Sequence, residues 1–93
     1  MSVLEKEIEQ AVVKYAEKNG FVVLKLNNPW SKGWPDRLFI SPTGSHVYIE
    51  FKRPGGNLRK LQQKRIDQLV QNGCTVWVSD NKEESIEILE SYY

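Results

Sequence analysis

Asp36 is followed fourteen residues later by Glu50, and Lys52 is separated from that acid by one residue. Two carboxylates brought together can hold a divalent cation. A lysine beside them can position or polarise an attacking water and stabilise the negative charge that develops on a phosphodiester. Oxygen donors suit a hard ion such as Mg²⁺, with Mn²⁺ able to substitute. Zinc is a poor match, because one cysteine and one histidine cannot build a thiolate or imidazole cage.

The surrounding elements must bring the two acids together. His46 to Lys52 is rich in β-branched and aromatic residues and reads as a strand. Alternation puts Val47, Ile49 and Phe51 on one face and Tyr48, Glu50 and Lys52 on the other. Burying the first face sets the acid and the lysine side by side on the second. Asp36 to Ser41 reads as another strand, and Pro42-Thr43-Gly44-Ser45 supplies a turn between them. In such a hairpin Asp36 lies at the end away from the turn, where Glu50 and Lys52 also lie.

The rest of the chain completes an α-β-β-β-α-β-α order. A helix over Val3 to Lys18 carries an apolar stripe of Leu4, Ile8, Ala11, Val12 and Tyr15, and Asn19-Gly20 ends it. Phe21 to Leu26 is a first strand, and Asn27 to Pro35 is a loop holding Trp30 and Trp34. Arg53-Pro54-Gly55-Gly56 breaks the third strand. Asn57 then caps a helix over Leu58 to Asn72, with Leu58, Leu61, Ile66 and Leu69 at roughly helical spacing. Cys74 to Ser79 forms the fourth strand. Asp80 with Glu83 resembles a capping pair for a final helix through Ile86 and Leu89. A helix between the third and fourth strands suits a crossover between parallel neighbours. The expected fold is α/β, a small mixed sheet flanked by helices, in one domain over residues 1–93.

The net charge of +1 conceals a division. Six basic residues and no acid lie between Phe51 and Ile66, whereas five acids face one lysine between Asp80 and Glu90. The middle segment can meet phosphates and the tail cannot. A basic helix face is often merely solvated; here it directly follows the acid-x-lysine strand. A single cysteine excludes a disulfide framework within the chain and fits a reducing compartment. No signal-peptide core or membrane-length apolar run is present, so a cytoplasmic, non-membrane protein is expected.

The motifs in order resemble the VRR-NUC domains of the PD-(D/E)xK nuclease superfamily, in their stand-alone phage and bacterial form. The matching residues are Glu5-Lys6-Glu7-Ile8-Glu9, Lys25, Gly33-Trp34-Pro35-Asp36-Arg37, Ile49-Glu50-Phe51-Lys52-Arg53-Pro54-Gly55, Leu61-Gln62 and Gly73-Cys74-Thr75-Val76-Trp77-Val78. Each motif alone is weak; the ordered set spans nearly the whole chain. The sequence departs from the family's pattern at Trp34, where a small aliphatic residue is common. The resemblance implies a restriction-endonuclease-like core and a metal-dependent DNA endonuclease selective for branched DNA, such as four-way junctions or flaps. It implies metal ligation by Asp36, Glu50 and the Phe51 main-chain carbonyl, with Glu5 joining directly or through water. Lys52 would then assist water attack, and Gln62 would orient the lysine or the phosphate. Helix geometry bears on Glu5 independently: at 100° per residue it falls roughly 75° from the stripe centre, against roughly 115° for Glu9. Glu5 is therefore the better placed of the two, beside the alternative of an ordinary exposed glutamate.

Lys25, Arg53, Arg59, Lys60 and Lys64 are candidate nucleic-acid contacts. Lys25 reads equally as a strand lysine with its stem along the sheet. Trp30 and Trp34 are candidate core lids, interface anchors or base-stacking wedges. Trp77 and Cys74 read as core, and His46 as an exposed residue beside a turn. A twofold junction substrate favours a homodimer, with the 27–35 loop or a helix face contributing. Two further readings stand beside the nuclease: a noncatalytic nucleic-acid-binding module, and a structural subunit of a larger assembly. The intact Asp36, Glu50 and Lys52 argue against the first of these, because a decayed site usually loses one of them.

Overall fold

The computed structural model describes residues 4–92. The elements are α1 (Glu5–Lys18), β1 (Val22–Lys25), β2 (Arg37–Ile40), β3 (His46–Phe51), α2 (Lys60–Gln71), β4 (Thr75–Ser79) and α3 (Lys82–Glu90). Their order is the expected one. The expected helix start at Val3 lies outside the described residues, and Leu4 is the exposed N-cap rather than part of the apolar stripe.

One sheet of four strands runs in the order β1-β2-β3-β4. The first three strands are antiparallel, and β4 joins β3 in parallel. That parallel step requires a crossover, which α2 provides. Ile8, Val12 and Ala16 of α1 pack with Phe39, Val47, Ile49 and Phe51 on one face of the sheet, where Ile88 and Leu89 of α3 join them. The Phe39 and Phe51 rings meet edge to face at 6.3 Å. Deleting a buried ring of this kind typically costs about 3–5 kcal/mol, so Phe51 pins the strand that carries Glu50. The α2 helix packs against β4, with Ile66 as its buried residue.

Gly20 closes α1 at φ 85°, which lets the Phe21 N–H return to the Ala16 carbonyl at 2.9 Å. The other expected caps are each displaced. The α2 helix begins at Lys60 with Arg59 as N-cap, not after Asn57. The Arg59 N–H donates to the Gln62 side-chain oxygen at 2.8 Å, so a residue inside the helix caps its own start. For α3 the cap is Asn81, whose Oδ1 accepts the Glu84 N–H at 2.8 Å. Asp80 instead accepts from the Gly55 N–H at 3.3 Å, tying the glycine turn to the end of β4. Propensity allowed either neighbour as cap; tertiary contact chose.

Trp77 is 43 % exposed and Leu61 is also exposed, so neither is core. Trp77 is on the edge strand β4, with no further strand beyond it, and Leu61 is in the first turn of α2, beside the loop at Gly33. Cys74 is half-buried, immediately before β4. His46 is exposed, its ring nitrogen bonded to the Gly44 carbonyl.

Candidate active site

The β2–β3 register pairs Arg37 with Ile49. Continued by one residue, it sets Asp36 across from Glu50 at the end of the hairpin. The Phe51 N–H donates to Asp36 Oδ2 at 2.8 Å and fixes that carboxylate against β3. Glu5, in the first turn of α1, supplies a third carboxylate. One oxygen each from Glu5, Asp36 and Glu50 lie within 4.8 Å of one another. The two acids expected to converge thus do so, and Glu5 rather than Glu9 joins them. Glu9 is partly buried rather than solvent-facing, because Arg37 Nε donates to its Oε2 at 2.7 Å. Arg37 shares the Ile49 face of the sheet, the face that α1 covers, so its guanidinium meets the helix.

Glu50 and Lys52 occupy the opposite face and are also buried, at 2 % and 7 % exposure. Lys52 Nζ is 3.2 Å from Glu50 Oε2. Gln62 bridges the pair: its Oε1 accepts from Lys52 Nζ at 2.8 Å, and its Nε2 donates to Glu50 Oε2 at 2.9 Å. The amide has one workable orientation, since turning it over would aim NH₂ at an ammonium and at the Arg59 N–H. Both acceptor positions of Oε1 are thus engaged, by Lys52 and by Arg59. A lysine ammonium has three N–H donors; Glu50 and Gln62 take two and leave one.

Burial pushes the Glu50 carboxyl up to about 7, and the adjacent Asp36 charge adds to the rise while Lys52 opposes it. Burial also raises Asp36, against the Phe51 N–H bond, which favours its charged form. Crowded, buried carboxylates of this kind are what a cation relieves. The donor set is all oxygen, so the residues present fit a hard divalent ion.

A group whose folded pKa exceeds its unfolded one binds its proton more tightly when folded, so folding stability falls as pH rises between the two values. For Glu50 that window runs from 4.5 to about 7. In EDTA, the melting temperature of the wild type should fall relative to that of Glu50→Gln as pH is raised through this window, and the difference should level off above it. Parallel melting temperatures for the two proteins across the window would show that Glu50 does not titrate this way.

Beside this centre lies a cleft of about 470 Å³ lined by Lys25, Lys32, Arg59, Trp34, Leu61 and Gln62, among others. Lys25 thus faces the site region from the end of β1. Arg53, Lys60 and Lys64 are exposed, as a phosphate-contacting role requires. Arg65, the sixth member of the basic run, is not: its guanidinium stacks over the Trp34 ring at 4.6 Å. Trp34 is half-buried and ties the loop to α2, whereas Trp30 is 94 % exposed. Lys32 was not among the sequence candidates. Its signal was its place between the two tryptophans, in a loop otherwise without charge.

Fold and site together define a small α/β domain with a buried carboxylate–lysine centre at the end of a mixed sheet. A solved structure described as "VRR_NUC domain" superposes with a TM-score of 0.83 at 24% sequence identity, covering 96% of this chain and 97% of that one. The family model of the VRR-NUC domain matches residues 2–82. A phage protein, "Putative nuclease p44" of Acyrthosiphon pisum secondary endosymbiont phage 1, is 32% identical over 79 residues, 85% of each chain. The chain belongs to the VRR-NUC family and is a nuclease of that family.

Proposed function

We propose that the protein is a divalent-metal-dependent DNA endonuclease that acts on branched DNA. The observation that carries this reading is the approach of Glu5, Asp36 and Glu50 to within 4.8 Å, with Lys52 held 3.2 Å from Glu50. Asp36, Glu50 and the Phe51 carbonyl would hold the ion, with Glu5 completing the cluster. When bound, Mg²⁺ or Mn²⁺ supplies positive charge to the phosphate oxygens and acidifies water. Lys52 directs its remaining N–H at the phosphate or the entering water. Gln62 positions Lys52 and neutralises none of its charge. The buried setting keeps these dipoles fixed, which is what makes them effective against developing charge.

The exposed cations extend the site toward the DNA backbone. Replacing Arg59, Lys60 and Lys64 together by Ala should weaken binding to every DNA tested and flatten its salt dependence by roughly 0.9 for each phosphate that is no longer neutralised. Titrations at several salt concentrations measure this, and an unchanged slope returns the cluster to a solvated helix face.

A homodimer would match the symmetry of a four-way junction. The exposed apolar residues Val78 on the open β4 edge and Val70 on α2 offer a surface for it, and Trp77 is exposed on the other face of the same edge strand. The test of the whole reading is cleavage of labelled duplex, flap and four-way-junction DNA in Mg²⁺, Mn²⁺ and EDTA, with light scattering on the same samples. Cleavage that persists in EDTA, or that never appears, defeats the reading. A monomeric mass with uncoupled nicks removes the dimer alone.

A further inference from the structure

Trp30 is the most exposed large apolar side chain described, and its backbone is held. Asn28 Oδ1 accepts the N–H groups of both Trp30 and Ser31, at 2.9 and 3.0 Å. Ser31 Oγ in turn accepts from Trp34 Nε1 at 2.6 Å, and Trp34 lies beneath the Arg65 guanidinium on α2. Gly33 seats the loop on the helix: at φ 87° it places a hydrogen where a Cβ would stand 2.6 Å from Leu61 Cγ. The turn therefore presents Trp30 to solvent from a braced support.

The setting of that ring is cationic. Pro29 and Lys32, on either side of it in sequence, line the cleft of about 470 Å³ together with Lys25 and Arg59, and no acid lines it. At its inner side is Gln62, which binds both Glu50 and Lys52. A positively charged groove with an aromatic face on its rim is the combination that holds single-stranded nucleic acid: cations follow the phosphates and the ring stacks on a base.

We infer that Trp30 is a stacking platform for an unpaired nucleobase, and that Lys25, Lys32 and Arg59 hold the backbone of the same DNA strand on its way to the carboxylate centre. The inference rests on the nuclease reading and adds the source of its structural selectivity. A base in continuous duplex must be unstacked before it can lie on the ring; a base at a branch or in a flap has already lost that stacking. Because the turn is braced before DNA arrives, little backbone order remains to be imposed there on binding. Trp30 thus discriminates by what the DNA must give up, with no reading of base sequence.

The test uses the full chain in Ca²⁺, with a continuous duplex and a flapped duplex carrying 2-aminopurine at successive unpaired positions. Wild type should bind the flap more tightly and quench one of those positions. Trp30→Ala should lose the quench and weaken flap binding roughly tenfold, while duplex binding changes far less. Trp30→Phe, which keeps a ring, should recover most of both. Lys25→Ala with Lys32→Ala should weaken both DNAs and lower the salt slope. The inference is overturned if Trp30→Ala binds the flap like wild type, if it weakens both DNAs equally, or if DNA affinity holds while the solution mass falls. Cleavage by the same proteins in Mg²⁺ separates the two readings. If wild type and Trp30→Ala both cut, with the same preference among DNA structures, the platform alone fails. Trp30-dependent flap binding without any cutting sinks the nuclease reading and leaves the platform standing.

Discussion

Asp36→Asn and Glu50→Gln should each reduce DNA cleavage by at least roughly 10³-fold, since metal stabilisation of the reacting phosphate is worth several kcal/mol. These isosteres are better tests than alanine. Glu50→Ala would leave the buried Lys52 ammonium and the Gln62 amide without the acceptor that Oε2 provides, and an unmet buried polar group costs about 1–3 kcal/mol, more for a charged one. Glu50→Gln retains a side chain that can bond both neighbours. It also removes a carboxyl whose charged form is disfavoured by burial. The metal-free mutant should therefore melt no lower than wild type above pH 7, and Mg²⁺ should raise its melting temperature less. A ligand stabilises the fold only to the extent that it binds the folded state. Either mutant, folded by circular dichroism and still cutting at near wild-type rate in Mg²⁺, would remove the proposed metal site.

Lys52→Met should lower single-turnover cleavage at saturating DNA by about 10²–10³, the usual loss for one preorganised stabilising group. DNA affinity should change little, because Lys52 is buried beside Glu50 and not on the exposed basic face. A second signature follows from its effect on Glu50. Lys52 lowers the Glu50 pKa by charge and by hydrogen bond, so its removal lets burial and Asp36 push that carboxyl higher. Metal binding needs the carboxylate deprotonated, and the rise of cleavage with pH should accordingly shift to higher pH in Lys52→Met. A mutant with weakened binding, an unchanged saturated rate and an unmoved pH profile would make Lys52 a phosphate anchor.

Much of this architecture is readable locally. The period-two alternation of Val47, Ile49 and Phe51 against Glu50 and Lys52 specifies which side chains share a face, because neighbouring residues on a strand must point apart. The turn residues 42–45 specify an antiparallel return, and the return brings Asp36 to Glu50. Neither of these steps needs knowledge of a distant contact. Helical phase only ranks Glu5 above Glu9; the docking of α1 on the sheet brings Glu5 to the same end.

What the tertiary structure alone decided are choices between locally equivalent options. Asn57 and Asp80 are good caps, yet Gln62 and Asn81 do the capping. The difference lies in where α2 and α3 dock, which no short window records. Trp34 and Trp30 are alike as loop tryptophans; one rests under Arg65 and the other is left exposed. Trp77 has the composition of core but sits on an edge strand, where no further strand covers it. The elements and their facing were determined by local sterics and by the period of the apolar residues. The raised Glu50 carboxyl, the clamp of Gln62 on Lys52 and the projection of Trp30 arise from burial and from contacts across 10 to 31 residues of chain. Only the closed fold brings those groups together.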